Sequence, residues 1–252
     1  MQVDFRCRPA TKAVNTIPIL MYHNIGHPSH GAGLRSLYVR TEAFARQMRM
    51  LDILGFQGLS MSAAMPYLRG EKTGRVAVIT FDDGYLDTLE NALPVLCARG
   101  FSATSYVVSG HIGQYNVWDA DALNVRKPLM NAVQLREWQA AGMELGAHSR
   151  THPHLPTCTD AELHAEVAGS KAELEDLMGA PVTQFCYPYG DLDVRVVAAV
   201  RQAGFSAATT TQRGRARPGD DLLVLRRILV SGSSLLHLFL IKLFTSYEDR
   251  RG

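Results

Sequence analysis

Apolar runs of strand length alternate along this chain with stretches whose apolar residues recur every three to four positions. Residues 17–22 (IPILMY) are a continuous apolar run. Residues 41–54 (TEAFARQMRMLDIL) carry helical periodicity, with Thr41 as the expected cap and Gly55 as the stop. A short strand is predicted at 56–59 and a short helix at 62–68. Residues 75–81 (RVAVITF) are β-branched and apolar on both faces, the pattern of a strand buried in a parallel sheet. A helix at 86–99 ends at Gly100, a strand follows at 102–108, and a helix at 132–141 closes at Gly142 before a strand at 143–147. The longest predicted helix is 159–178, where Thr159 and Glu162 form a capping box and Gly179 ends the run. A strand at 182–187, a helix at 194–203 ending at Gly204, a strand at 205–210, a strand-like stretch at 222–230 and a terminal helix complete the pattern. The longest irregular stretch, 110–130, is expected to face substrate.

Strand–helix units repeated along the whole chain imply a parallel sheet. The expected class is α/β, a distorted or incomplete (β/α) barrel of about seven or eight parallel strands, with a doubly wound open sheet as the alternative. A single domain is expected over 1–252, with its core at 17–245. In either architecture the chemistry belongs at the C-terminal ends of strands, so a polar residue just past a strand is a candidate.

Composition narrows the function classes. The 252 residues are 46% hydrophobic and 20% charged, as in a folded globular protein. Twenty-six Lys+Arg against 24 Asp+Glu leave a net charge of +2, which argues against nucleic acid as a partner. Asp4, Arg6, Arg8 and Lys12 interrupt the N-terminus before a secretory apolar region forms, so a cytoplasmic location is expected. Cys7, Cys97, Cys158 and Cys186 form no Cys-x-x-Cys pair and are expected as reduced thiols. The apolar run 235–244, broken by His237 and Lys242, is too short for a transmembrane segment. It reads as a core-facing helix, with a helix lying on a membrane surface as the alternative. Nine histidines raise the question of metal or acid–base chemistry.

Three segments sit at strand ends. The first is Thr80-Phe81-Asp82-Asp83-Gly84-Tyr85. Adjacent side chains on extended backbone point in different directions, so one aspartate can hold a cation while the other addresses a water or substrate. Gly84 lets the chain turn away. An ordinary Asp-Gly turn is the bland alternative. The second segment is His148-Ser149-Arg150-Thr151-His152-Pro153-His154. If it turns helically, His148 and His152 share one face and can share a metal. Two histidines, one carboxylate and open positions make a catalytic zinc-type site. The third is Phe185-Cys186-Tyr187-Pro188-Tyr189-Gly190-Asp191, whose constrained backbone can aim an N–H at a developing oxyanion. An ordinary strand-to-helix turn is the alternative there.

These motifs, in this order, resemble those of the polysaccharide deacetylase family (carbohydrate esterase family 4, the NodB homology domain). TFDDG at 80–84 resembles the family's first motif, His148–His152 with the following Pro-x-Leu its second, and Tyr187–Gly190 part of its third. The resemblance implies a distorted barrel and a divalent metal, usually Zn2+, held by Asp83, His148 and His152. It implies Asp82 as general base and the backbone N–H of Tyr189 as an oxyanion contact. The reaction implied is hydrolysis of an N-acetyl group from an N-acetylhexosamine unit. A metal-activated water is the nucleophile, and an acid protonates the leaving amine.

The pattern departs from the family at two places. Cys186 stands where the third motif normally carries an arginine that orients the base, and Arg226 or Arg227 is the candidate replacement. No histidine occupies the usual late motif. His23, just past the first strand, is the first candidate for the acid, and His154 is the second. His237 reads as a packed or surface residue, and His27, His30, His111 and His164 as ordinary positions. Trp118 reads as a hydrophobic anchor for its loop or as a platform for a sugar ring. The substrate expected is an acetylated amino sugar, in particular a lipid-linked or soluble precursor. Hydrolysis of an amide, formamide or cyclic imide, and a non-catalytic glycan-binding role, are the rival readings.

Overall fold

The computed structural model describes residues 16–232 and 234–251. Cys7 and the N-terminal charges discussed above lie outside them. The strand–helix alternation is realised in full. It begins with β1 (Ile19–Tyr22), the two-residue pair β2 (Asn24–Ile25) and β3 (Tyr38–Val39), α1 (Thr41–Ile53), β4 (Gln57–Leu59) and α2 (Met61–Leu68). It continues with β5 (Val76–Phe81), α3 (Leu93–Cys97), β6 (Thr104–Val107), α4 (Ala120–Leu123), α5 (Ala132–Ala140) and β7 (Glu144–Ala147). Then come α6 (Asp160–His164), α7 (Ser170–Met178), β8 (Gln184–Cys186), α8 (Val194–Gln202), β9 (Ala207–Arg213), β10 (Leu225–Leu229) and α9 (Leu236–Phe244).

Among the described residues, β1, β5, β6, β7, β8, β9 and β10 pair in parallel around a closed ring. β4 joins β5 as an additional strand outside the ring. The open-sheet alternative is thereby excluded. β5 is the hub, pairing with β1, β4 and β6.

The period of two along each strand sorts side chains into two cores. Ile19, Val78, Tyr106, Cys186, Ala207 and Leu225 pack with each other and with Met61, Ala64, Met65 and Leu68 of α2. These strand residues come from around the ring, so this cluster is the barrel interior, with α2 packed against it. Their neighbours Leu20, Ile79, Val107, Phe185, Ala208 and Ile228 pack outward against Phe44, Leu135, Leu174, Val200 and Phe239 of the helices. A register shift between β9 and β10, between Leu225 and Arg227, bends the rim there.

Two local expectations are corrected. Arg40, not Thr41, is the N-cap of α1 and makes no side-chain cap bond; Thr41 is already the first helical residue. The predicted helices 86–99 and 159–178 each contain a π turn, Thr88–Ala92 and Ala165–Gly169. The Thr159–Glu162 capping box forms as expected. The terminal helix buries Phe239 and Leu243 but leaves Leu235, Ile241 and Phe244 exposed. No helix among the described residues is long and apolar enough to cross a membrane.

Candidate active site

At the C-terminal end of β5 the two adjacent aspartates part company. Asp82 keeps the inward register of Val78 and Thr80, and its N–H still bonds Tyr22 O at 3.0 Å. Asp83 leaves it through a left-handed backbone (φ 75°), and Gly84 repeats that conformation (φ 75°), so the chain turns away at once. Both carboxylates are buried, 2% and 5% exposed. Such burial is tolerable only with partners.

Asp83 finds its partners in the loop after β7. Its Oδ1 lies 3.5 Å from His148 Nε2 and 3.6 Å from His152 Nε2. The expected helical turn does not form: Ser149 (φ 60°) and His152 (φ 63°) are left-handed, and the imidazoles converge from a loop. Glu166 holds that loop. Its carboxylate accepts the N–H groups of Arg150 and Thr151, both at 2.8 Å, and the Thr151 hydroxyl at 2.6 Å. Glu166 belongs to the π turn Ala165–Gly169, which gives that irregularity a purpose. His148 Nδ1 donates to Cys186 O at 2.8 Å, which turns Nε2 toward Asp83.

Asp83, His148 and His152 thus present one oxygen and two nitrogens within 4.8 Å of one another. The donor set, the burial and the tautomer fixed by Cys186 O fit a divalent cation with open positions. Burial and the neighbouring His148 push His152 down to about 3, so its ring is neutral at physiological pH. Burial raises the Asp83 carboxyl, but the hydrogen bond from His148 outweighs it and the group lies well below the usual range.

Asp82 is served by a residue from the opposite end of the chain. Arg227 Nη1 donates to Asp82 Oδ1 and Nη2 to Oδ2, both at 2.7 Å. The same guanidinium donates to Thr210 O at 2.8 Å and Thr80 Oγ1 at 3.1 Å, and lies 3.2 Å from Cys186 Sγ. Arg227 is completely buried, whereas Arg226 is exposed. Arg227 therefore fills the charge left vacant at Cys186. Burial pushes the Asp82 carboxyl up, but the Arg227 charge and hydrogen bonds outweigh it and hold the group below its ordinary value.

His23 passes the strand-end test: its Nε2 lies 3.8 Å from Asp82 Oδ2. His154 is exposed, bonded to Asp191 at 2.5 Å and stacked on the Tyr189 ring at 4.1 Å, and it does not line the cavity. His237 is an exposed residue of α9.

A cavity of about 120 Å³ opens over these groups, lined by His23, Leu34, Asp82, Asp83, Trp118 and Asp119 among others. Trp118 stacks on the His152 ring at 4.8 Å, so it braces a candidate ligand while also facing the cavity. Gly190 (φ 77°) lies against Thr211, where any Cβ would collide with Oγ1 at 1.9 Å, and this contact seats Tyr189 at the rim. Of the six non-glycine residues with positive φ among the described residues, Leu34, Asp83, His152 and Tyr189 line the cavity. Backbone strain concentrates where function is expected. Glu166 and Asp119 escaped the sequence reading. One lies inside a helix and the other in an irregular loop, and neither carries a local signature.

The polysaccharide deacetylase family profile matches residues 69–208. The chain is 30% identical over 217 residues to YxkH of Bacillus subtilis strain 168, covering 85% of this chain and 71% of that protein. It is 21% identical over 221 residues to the poly-β-1,6-N-acetyl-D-glucosamine N-deacetylase of Staphylococcus aureus, covering 86% of this chain and 75% of that protein. Among solved structures, BC0361, a polysaccharide deacetylase from Bacillus cereus, is similar with a TM-score of 0.76 and 27% identity, covering 90% of this chain and 68% of that one. IcaB from Ammonifex degensii shares the fold, with a TM-score of 0.78, 24% identity, and 90% and 97% coverage. With a closed barrel, three side chains at its rim that could hold a metal ion and a family profile matched across its centre, this chain belongs to the polysaccharide deacetylase family.

Proposed function

We propose that this protein is a metal-dependent hydrolase that removes the N-acetyl group from an N-acetylhexosamine unit of a glycan or glycan precursor. The observation that carries this reading is the division of labour between Asp82 and Asp83. Asp83 faces His148 and His152, Asp82 is paired with Arg227, and both line the cavity. Asp83, His148 and His152 would hold the metal, with Zn2+ the ion best suited to this donor set. When bound, it would supply Lewis acidity toward the acetyl carbonyl and a more acidic water.

The chain's own groups do the rest. Asp82, ionised and oriented by Arg227, accepts the proton of the attacking water at Oδ2, where a lone pair remains beside the Arg227 bond. The backbone N–H of Tyr189 is assigned to the oxyanion. His23 Nε2, 3.8 Å from Asp82 Oδ2 and lining the same cavity, delivers the proton to the leaving amine. The cavity, at about 120 Å³, has room for one acetamido group. A lipid-linked or soluble precursor and a cytoplasmic setting belong to this reading; the unpaired Cys97, Cys158 and Cys186 are compatible with the latter.

The test is acetate release from β-1,4- and β-1,6-linked N-acetylglucosamine oligomers, set beside a panel of small amides, formamides and cyclic imides, with Asp83→Ala as control. The reading predicts acetate from the oligomers, lost in Asp83→Ala. Turnover of the small amides alone would overturn the glycan assignment. His23→Ala is expected to lower kcat with metal content intact.

A further inference from the structure

One charged side chain on the cavity wall takes no part in the metal group or the base. Asp119 lies half-buried beside Trp118 in the long 110–130 loop and lines the same cavity as Asp82 and Asp83. The loop is built to hold it. Asn116 is fully buried and donates Nδ2 to Asp119 Oδ1 at 2.6 Å. The same amide group reaches Val125 O at 3.3 Å, while Asn116 Oδ1 accepts the Lys127 N–H at 2.6 Å. The Lys127 ammonium is committed elsewhere, to Asp87 at 2.6 Å. Among the described residues, Asp119 has no ion-pair partner.

A carboxylate that is half-buried, fixed in place and unpaired is costly unless a ligand completes it. Burial, assisted by the charge of Asp83, pushes the carboxyl up to about 6. It is mostly ionised at neutral pH, in a field that a nearby cation would relieve. The rings of Trp118 and Tyr189 line the same wall, and aromatic faces also favour cations. A neutral hydroxyl would need no full charge there, since an asparagine would serve it equally well.

The proposed reaction itself makes a cation of the right kind, because each acetyl group removed leaves an amine that takes up a proton near neutral pH. The cavity, at about 120 Å³, is too small for a disaccharide. Asp119 is only half-buried and Tyr189 is 41% exposed, so both also face the mouth of the cavity, where the neighbouring sugar has to lie. We propose that Asp119 is a specificity residue that binds the ammonium of a glucosaminyl unit next to the reacting N-acetyl unit, so that glycans already carrying free amines are preferred. This inference rests on the N-deacetylase reading.

The experiment compares two N-acetylglucosamine pentamers of the linkage the wild type cleaves, one fully acetylated and one with a single interior glucosaminyl unit. For Asp119→Asn, KM for the amine-bearing pentamer should rise about tenfold, the scale of one charge-assisted hydrogen bond. Both kcat and the KM for the fully acetylated pentamer should stay within about twofold. The wild-type preference should fade in high salt. Equal loss on both pentamers, a fall in kcat, or no change would overturn the inference. Binding of a glucosamine pentamer, measured by calorimetry in wild type and Asp119→Asn, separates the two levels. Asp119-dependent binding without acetate release would reject the deacetylase reading and retain the cation site. Acetate release without charge discrimination would retain the reading and reject the cation site.

Discussion

Asp83 and Asp82 are neighbours in sequence, yet they belong to centres built in different ways. The Asp83 centre is assembled from two strand ends close in the sheet, and its histidines lie four residues apart. The Asp82 centre is assembled from strands just as close in the ring, since β1 alone separates β10 from β5, but far apart in the chain, with Arg227 145 residues away. In the first, buried carboxylate and imidazoles converge on a space fit for a cation. In the second, the cation is a guanidinium already in place. The two histidines come from one short segment, whereas Arg227 meets Asp82 only because β1 bridges β10 and β5 to close the ring.

The comparison breaks most sharply when ligands are removed. Asp83→Ala should lose its metal and lower acetate release by about three orders of magnitude or more, read by metal analysis and kcat/KM together. Asp82→Asn should keep the metal and lower kcat by roughly 10²–10⁴, the range expected for a general base. Arg227→Met leaves Asp82 buried without its counter-charge and should destabilise the fold by about 3–5 kcal/mol, measured by denaturant titration at neutral pH.

The same Arg227→Met variant carries a pH signature. Arg227 lowers the folded-state pKa of Asp82, so its stabilising contribution is complete above the ordinary carboxylate value of about 4 and is lost as pH falls through the lowered one. The stability gap between wild type and Arg227→Met should narrow on acidification, and the acid limb of the variant's kcat/KM profile should move to higher pH. Glu166→Gln should have the smallest effect. One acceptor of the loop clamp is lost, for about 1–2 kcal/mol of stability and a roughly tenfold weaker metal affinity.

The convergence of Asp83, His148 and His152 was legible in the sequence because strand-end placement and short spacing are local properties. Asp82 was legible by adjacency and His23 by following the first apolar run. Arg227 was narrowed to a choice of two, and strand parity decides between them: Leu225 and Arg227 share the interior register, and Arg226 does not. Fixing that parity required β10 to be seated against β9 across a register shift, which no periodicity reveals. The helical turn expected at 148–152 failed because Glu166 draws the loop's N–H groups outward, so that left-handed Ser149 and His152 replace helical backbone. Asp119 was hidden for a similar reason, since only the loop's internal bonds to Asn116 bring it to the cavity. In the fold at large, the alternation announced every barrel strand, while the placement of β4 outside the ring depends on tertiary pairing alone.

The central claim is that adjacent aspartates hold separate offices, Asp83 on the metal and Asp82 off it. The most direct measurement is the metal-to-protein ratio of purified Asp82→Asn and Asp83→Asn beside wild type. The account predicts that Asp82→Asn retains the wild-type ratio and Asp83→Asn loses it. Equal ratios in the two variants, or loss in Asp82→Asn alone, would contradict it.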